Sequence, residues 1–433
     1  MRLLSARRPA LAFVAALSAS ISASAGAAGS LAASAPFALS VLHAGDNGAF
    51  ASADIDGDGR ADIVVARKPQ ALRWMSYPDL QPHSIEAAGN LWMEIQAADV
   101  DGDGDIDVLA PDMGDSTVYW WENPGKAEAP TATGWKRHRI GRWDGGFPHD
   151  FKAGDLDGDH RMDAVLRPKT SSAFTIFHQD SAGAWSTRIL DMAFGAGEGT
   201  ALGDIDGDGD LDITDGLVWL ETPPDPMRDA WTRHVFNPGY GCPMTRVVVA
   251  DLDGDGGQDI VVGPSDTSMP MPLVWFRSAH PRSGPWVSHL IMPADRAQWL
   301  HSLQVGDVDG DGFPDVVTGT DHHGSKEMLI FRDADGGQGD AWSETAWPTA
   351  DGVWQAVLAD VNGDGYPDIL SADDANDAEQ ELWLNPGVWG QAALKPRRQG
   401  FPTSRRGLRP GPIGEKWFWM RGRAYGAEGR RRP

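Results

Sequence analysis

A nine-residue acidic string recurs seven times in this chain and constrains its fold more than any other feature. DIDGDGRAD begins at Asp54, DVDGDGDID at Asp99, DLDGDHRMD at Asp155 and DIDGDGDLD at Asp204. DLDGDGGQD begins at Asp251, DVDGDGFPD at Asp307 and DVNGDGYPD at Asp360. Successive starts are 45, 56, 49, 47, 56 and 53 residues apart. Copies at such regular spacing mark one supersecondary unit used seven times. The 433 residues then hold one repeat domain, where length alone suggests about three domains.

Each copy sits in the same context. A short apolar run precedes it, such as LQVG (303–306) or VVVA (247–250), and IVV, VLA, AVL or VVT follows. These runs have strand length and β-branched content. A third run follows, often with Trp, at 72–74, 119–121, 217–220, 273–276 and 382–384. A fourth begins at Trp135, Trp185, Trp231 or Trp286 (WKRHRI, WSTRIL, WTRHVF, WVSHLI). Four strands per unit, A to D, with no helical period between them, predict an all-β, seven-bladed β-propeller of four-stranded blades. The last unit lacks a D strand, and FALSVLHAG from Phe37 supplies one, so an N-terminal strand is expected to complete the last blade and close the ring.

The acidic string joins A to B. Carboxylates at its positions 1, 3, 5 and 9 can converge in a tight turn with a carbonyl from position 7. An all-oxygen donor set is hard-cation chemistry and fits calcium better than magnesium or zinc. Gly at position 6 permits the turn. The loop is not an EF-hand, since a strand begins where that motif needs a helix. The bland alternative, an Asp-Gly turn without metal, must hold four crowded carboxylates with no counter-charge. His160 replaces Gly at position 6 of the third loop, which should make that site the weakest, and Asn362 replaces Asp at position 3 of the seventh. Up to seven structural calcium ions are expected.

These loops resemble the FG-GAP/VCBS repeat family, calcium-loaded propellers such as the integrin alpha head, over residues 37–386. The resemblance implies calcium ligands at Asp54, Asp56, Asp58 and Asp62; Asp99, Asp101, Asp103 and Asp107; Asp155, Asp157, Asp159 and Asp163; and Asp204, Asp206, Asp208 and Asp212. It continues with Asp251, Asp253, Asp255 and Asp259; Asp307, Asp309, Asp311 and Asp315; and Asp360, Asn362, Asp364 and Asp368. Family members include adhesins, glycan-binding modules and enzymes acting on sugars. The WxxHxI strands and the Glu122-Asn123-Pro124 turn are also similar to propellers of secreted carbohydrate-active proteins, among them polysaccharide lyases and aldos-2-ulose dehydratase.

The topology puts the D–A and B–C loops on the face away from the acidic loops, around the channel mouth. Counting back six residues from each first Asp places the A-strand starts at Gly48, Met93, His149, Glu198, Thr245, His301 and Trp354. One residue on come Ala49, Glu94, Asp150, Gly199, Arg246, Ser302 and Gln355. B–C loops add Arg67, Lys68, Arg167, Lys169, Asp321, His322, His323 and Asp373, and Tyr240 lies in a D–A loop. Two His, a Glu and nearby Asp can bind a second, transition metal or do acid/base work. A lyase would use His149 or His301 as base, Tyr240 as acid and Arg246 or Arg167 against a uronate carboxylate. The alternative is a set of solvated loop residues and strand caps. Trp92, Trp143, Trp299 and Trp354 could stack sugars there or merely lid the core. His138, His234 and His289 are a repeat feature and structural. The reading that emerges is a propeller recognising an extracellular ligand, a glycan first. A sugar lyase or dehydratase and an adhesin-like protein–protein module are the alternatives.

Composition sharpens the partners. Net charge is −25, against a nucleic-acid partner. Twenty-seven of the 62 acidic residues are the loop carboxylates, so much of that charge is metal-binding in kind. The single cysteine, Cys242, excludes an intramolecular disulfide. Residues 1–25 read as a secretory signal peptide, with Arg2, Arg7 and Arg8, an apolar run at 10–17 and an Ala23-Ser24-Ala25 cleavage site. The mature protein is therefore expected to be secreted or periplasmic, without a membrane span, and 26–36 reads as a linker. Residues 387–433, with twelve Lys or Arg and two Glu, read as a basic disordered tail or a frame-shifted end.

Overall fold

The computed structural model describes residues 36–387 except 44–47, 68–71, 92, 145, 182, 192, 194, 241–243, 268, 335–340 and 374–378. The expected signal peptide, nearly all of the linker and tail, Cys242, Trp92 and Lys68 lie outside the described residues. Seven four-stranded antiparallel sheets form a seven-bladed β-propeller, as the repeat predicts. The A strands are Gly48–Ala53, Gln96–Ala98, Pro148–Gly154, Ala201–Gly203, Thr245–Ala250, Leu300–Gly306 and Gln355–Ala359. The first six blades run A-B-C-D in chain order. In the seventh, Ala38–His43 pairs antiparallel with Gln380–Leu384, Ala38 opposite Leu384, so the N-terminal strand closes the ring. Phe37 stacks on Trp347 at 5.5 Å and fixes that closure. Among the described residues no helix is long and apolar enough to cross a membrane.

The core is radial, a series of apolar seams between neighbouring blades. Leu72, Trp74, Val108 and Trp121 fill the seam between blades 1 and 2. Phe50, Ile63, Leu370 and Leu382 fill the seam between blades 7 and 1. In blades 2, 4 and 5 the Trp of the C strand and the His of the D strand share the blade surface: Trp120–His138, Trp219–His234 and Trp275–His289 stack at 4.3, 4.1 and 4.4 Å. The Glu-Asn-Pro turn also has a packing reason. Asn123 Nδ2 donates to the carbonyls of Ile55 in blade 1 and Ile106, and Asn385 Nδ2 likewise reaches Val308 and Pro367.

Two A strands begin three residues later than their spacing predicts. Blade 2 starts at Gln96 instead of Met93, and blade 4 at Ala201 instead of Glu198. In blade 4, Gly199 has φ +93° and breaks the strand. A Cβ there would meet Thr245 Oγ1 at 2.3 Å, so only glycine lets this turn press against the next blade.

Candidate functional site at the channel mouth

The A strands surround a channel of about 440 Å³ lined from all seven blades. Their first residues crowd together at one end. His149 Nε2 lies 2.7 Å from Glu198 Oε2, and His149 Nδ1 lies 3.2 Å from Asp150 Oδ1. Arg246 Nη1 is 3.3 Å from Asp150 Oδ1, Nη2 is 2.7 Å from His301 Nδ1, and Nε donates to the His301 carbonyl at 2.6 Å. Lys169 pairs with Asp266 and lies 3.4 Å from Glu198 Oε2. His301 Nε2 is 3.5 Å from Asp266 Oδ1, and Trp354 stacks on the His301 ring at 4.9 Å.

Charge at this site is set by burial and by pairing together. Burial alone would lower the His149 imidazole, but the Glu198 and Asp150 carboxylates outweigh it and push it up to about 9. Burial and then the Arg246 guanidinium drive His301 well below the usual imidazole range, so that ring is neutral. Burial would raise Glu198, yet the charged His149 and Arg246 hold it well below the carboxylate range. Lys169 is raised because Glu198 and Asp266 outweigh its burial.

Of the residues singled out from the sequence, His149, Glu198, Arg246 and His301 meet here. Tyr240 does not: its ring packs in an apolar cluster and its hydroxyl donates to the Pro272 carbonyl at 2.9 Å. Arg167 lies behind the cluster, donating to the carbonyls of Gly199 and Gly195. Asp321, His322, His323 and Asp373 form a separate rim group, with His322 Nδ1 2.7 Å from Asp373 Oδ1. Trp143 and Trp354 are buried, and half-buried Trp299 is stacked under His323 at 4.9 Å, so Trp143 and Trp354 act as lids, not open stacking platforms.

Several mouth residues also lace neighbouring blades. Gln355 Oε1 accepts from Phe50 N, Glu94 Oε2 from Phe151 N and Asp150 Oδ2 from Gly199 N. Asp266 escaped the sequence reading. It stands in a B–C loop, as Lys169 does, and that placement was the signal for it, whereas Arg167, expected in the same loop, lies in the B strand Asp163–Pro168.

The acidic loops ring the other end of the channel. In each, the first Asp accepts backbone N–H groups from later in the turn, as Asp54 does from Asp58 and Gly59. Position 6 has φ between 89° and 102° in the six loops with Gly, and His160 adopts φ +65° in the third. The ninth residue is more deeply set than a simple ligand. Asp315 accepts from Val308 N and Asp333 N, and Asp368 from Val361 N and Asn385 N, tying the loop to the C strand. Burial pushes Asp212 and Asp315 up to about 8, Asp107 and Asp259 to about 7, and Asp62, Asp163 and Asp368 to about 6.

The donors fit a hard cation. They are carboxylate oxygens in a turn, and Oδ1 of Asp157, Asp206 and Asp251 is buried without a hydrogen-bond partner. The loops are unequal, however. At one register-equivalent position of the C strand stand Ser76, Glu122, His178, Glu221, Arg277, Arg332 and Leu384. Arg277 pairs with Asp253 and Asp255, Arg332 Nη1 lies 3.3 Å from Asp309, and His178 Nε2 lies 3.1 Å from Asp157. Glu122 instead adds negative charge beside Asp101.

The sequence model of the FG-GAP-like repeat matches residues 54–110, 99–166, 155–214, 251–318 and 307–371, which together take in all seven acidic loops. None of the curated proteins matches the chain. Among solved structures, BBS1N from a crystal structure with ARL6DN is 11% identical, with a TM-score of 0.50, covering 80% of this chain and 95% of that one. Selenomethionine-substituted virginiamycin B lyase from Staphylococcus aureus is 12% identical, with a TM-score of 0.51, covering 80% and 99%. At these identities the likeness concerns the fold alone.

Proposed function

The chain belongs to the FG-GAP-like repeat family, and from that premise we propose that it is an exported propeller, stabilised by calcium in its acidic loops, that binds a glycan at its channel mouth. One observation carries the binding site: Lys169 and Asp266, with side chains 27% and 30% exposed, stand over the buried His149, Glu198 and His301 and the half-buried Arg246. A concave mouth that presents donors and acceptors, backed by a cluster of paired charges, suits a ligand rich in hydroxyl groups. In the acidic loops the first, third and fifth carboxylates would hold calcium, and the ninth would support them. Calcium there supplies the positive charge that the crowded carboxylates otherwise lack.

A glycan array probed with the exported protein in calcium tests this reading. Binding to a saccharide class should weaken at least about tenfold in Lys169→Ala, because a charged donor to the ligand is worth roughly 1.5–3 kcal/mol. Binding to no glycan, with capture of proteins alone, would favour the adhesin-like alternative. A lyase acting on a sugar would need a base here, and burial and Arg246 make the neutral His301 ring a weak one. Tyr240 is committed to Pro272 and unfit as its acid. Appearance of an unsaturated, ultraviolet-absorbing product from acidic polysaccharides would establish that reading.

A further inference from the structure

We propose that His149, Glu198 and His301 together bind one first-row divalent transition metal, of the zinc class, at the floor of the channel mouth. The three side chains come from blades 3, 4 and 6 and are 3%, 0% and 2% exposed. One donor atom from each lies within 4.8 Å of the other two. Glu198 Oε2, 2.7 Å from His149 Nε2, makes no hydrogen bond of acceptable geometry. The two donor atoms already stand side by side and would open from 2.7 Å to admit one ion between them.

The surroundings fit the same reading. A metal-ligating His usually gives its other ring nitrogen to a carboxylate or carbonyl. His149 Nδ1 lies 3.2 Å from Asp150 Oδ1, and His301 Nδ1 lies 3.0 Å from the Trp354 carbonyl. His149 Nε2 then faces Glu198, and His301 Nε2 has Arg246 Nη2 at 3.4 Å and Asp266 Oδ1 at 3.5 Å, both of which the metal would displace. Asp150 is itself fixed by Gly199 N at 2.9 Å and Thr200 Oγ1 at 3.3 Å. Two imidazoles and one carboxylate, with the remaining positions facing the channel, form an open zinc-type donor set. The all-oxygen loops at the other end favour a harder ion, so donor chemistry would sort the two metals.

Arg246 sets the cost. Its Nη2 lies 2.7 Å from His301 Nδ1, and that nitrogen cannot both accept from Arg246 and donate to Trp354. Metal on Nε2 requires the donating form, so the guanidinium must turn toward Asp150 or toward an anionic ligand above.

The test uses the full-length protein, stripped by chelation, restored to excess calcium and then given zinc alone. One equivalent of zinc should survive dialysis against calcium buffer, and cobalt(II) in its place should show the visible absorption of a nitrogen-ligated site. Glu198→Gln and His301→Ala should weaken both at least tenfold, and His322→Ala, in the rim group, should not. Wild-type protein that retains no zinc and shows no cobalt band overturns the proposal, whatever the variants do. Zinc lost with His322→Ala but kept in folded His301→Ala overturns it equally. Since the probe is the metal alone, failure here leaves glycan binding standing, and the reverse also holds.

Discussion

His149 Nε2 lies 2.7 Å from Glu198 Oε2 across the seam between blades 3 and 4, and neither side chain reaches solvent. A pair this deep is stable only while both partners remain, because a lone buried charge keeps its full desolvation penalty. In metal-free protein, Glu198→Gln should lower the His149 pKa from about 9 and reduce stability by about 3 kcal/mol at neutral pH. The folded-state pKa is raised, so the contribution is complete below about 6.5, the unfolded value, and disappears as pH rises through about 9. Denaturant melts at pH 6 and pH 10 check this: a wild-type advantage that persists undiminished at pH 10 would contradict the assignment.

Calcium removal should undo the ring. At calcium ten times Kd each site adds about 1.4 kcal/mol, so seven approach the whole stability of a domain, about 5–15 kcal/mol. A chelator should abolish the cooperative melt, and an unchanged melt would rule out structural calcium. The sites should also differ in affinity. Arg277 already neutralises Asp253 and Asp255, so Arg277→Gln should tighten the fifth site about five- to tenfold. Calorimetric titration should resolve that class moving toward the tighter ones.

His160 holds the left-handed conformation that Gly holds in the other six loops, with a side chain 96% exposed. Its ring therefore packs on little while its Cβ carries the strain of that backbone. His160→Gly should stabilise the protein by about 0.5–1 kcal/mol in urea melts, less the entropy that Gly adds to the unfolded chain. A fall in stability would mean that the imidazole contributes to the loop.

Glu381, outside the mouth cluster and the loop carboxylates, supplies a further pH dependence. Burial pushes it up to about 7, against the hydrogen bonds from Ser371 and Trp383. A carboxyl raised on folding is best tolerated protonated, so stability declines as pH rises from about 4.5 to about 7. The loss is of order 3 kcal/mol. Glu381→Gln retains the acceptor for Trp383 and should remove that slope. Equal slopes in the two proteins between pH 5 and 8 would refute it.

Ring closure was readable because Phe37 and its strand repeat the D-strand pattern at the other end of the chain. The A-strand starts of blades 2 and 4 were not. Spacing from the acidic loop assumes a continuous strand, whereas Gly199 turns out of line where Thr245 presses against it. Tyr240 misled for a related reason. Its place in a D–A loop was read correctly, but which way a loop side chain points depends on the neighbouring blade, here the Pro272 carbonyl.

Blade number, strand order, closure and the all-oxygen chemistry of the turns were determined by the sequence itself. Each rests on a local pattern recurring along the chain, and hydrophobic alternation and turn chemistry act over the length of one repeat. The inequality of the loops was decided by tertiary structure, because Glu122, Arg277 and Arg332 reach them only through strand register. So was the mouth. His149, Glu198 and His301 are far apart along the chain, and they meet because seven blades packed side by side bring the starts of their inner strands to one axis. Pairing and burial then set their charge states, and neither exists until the ring is closed.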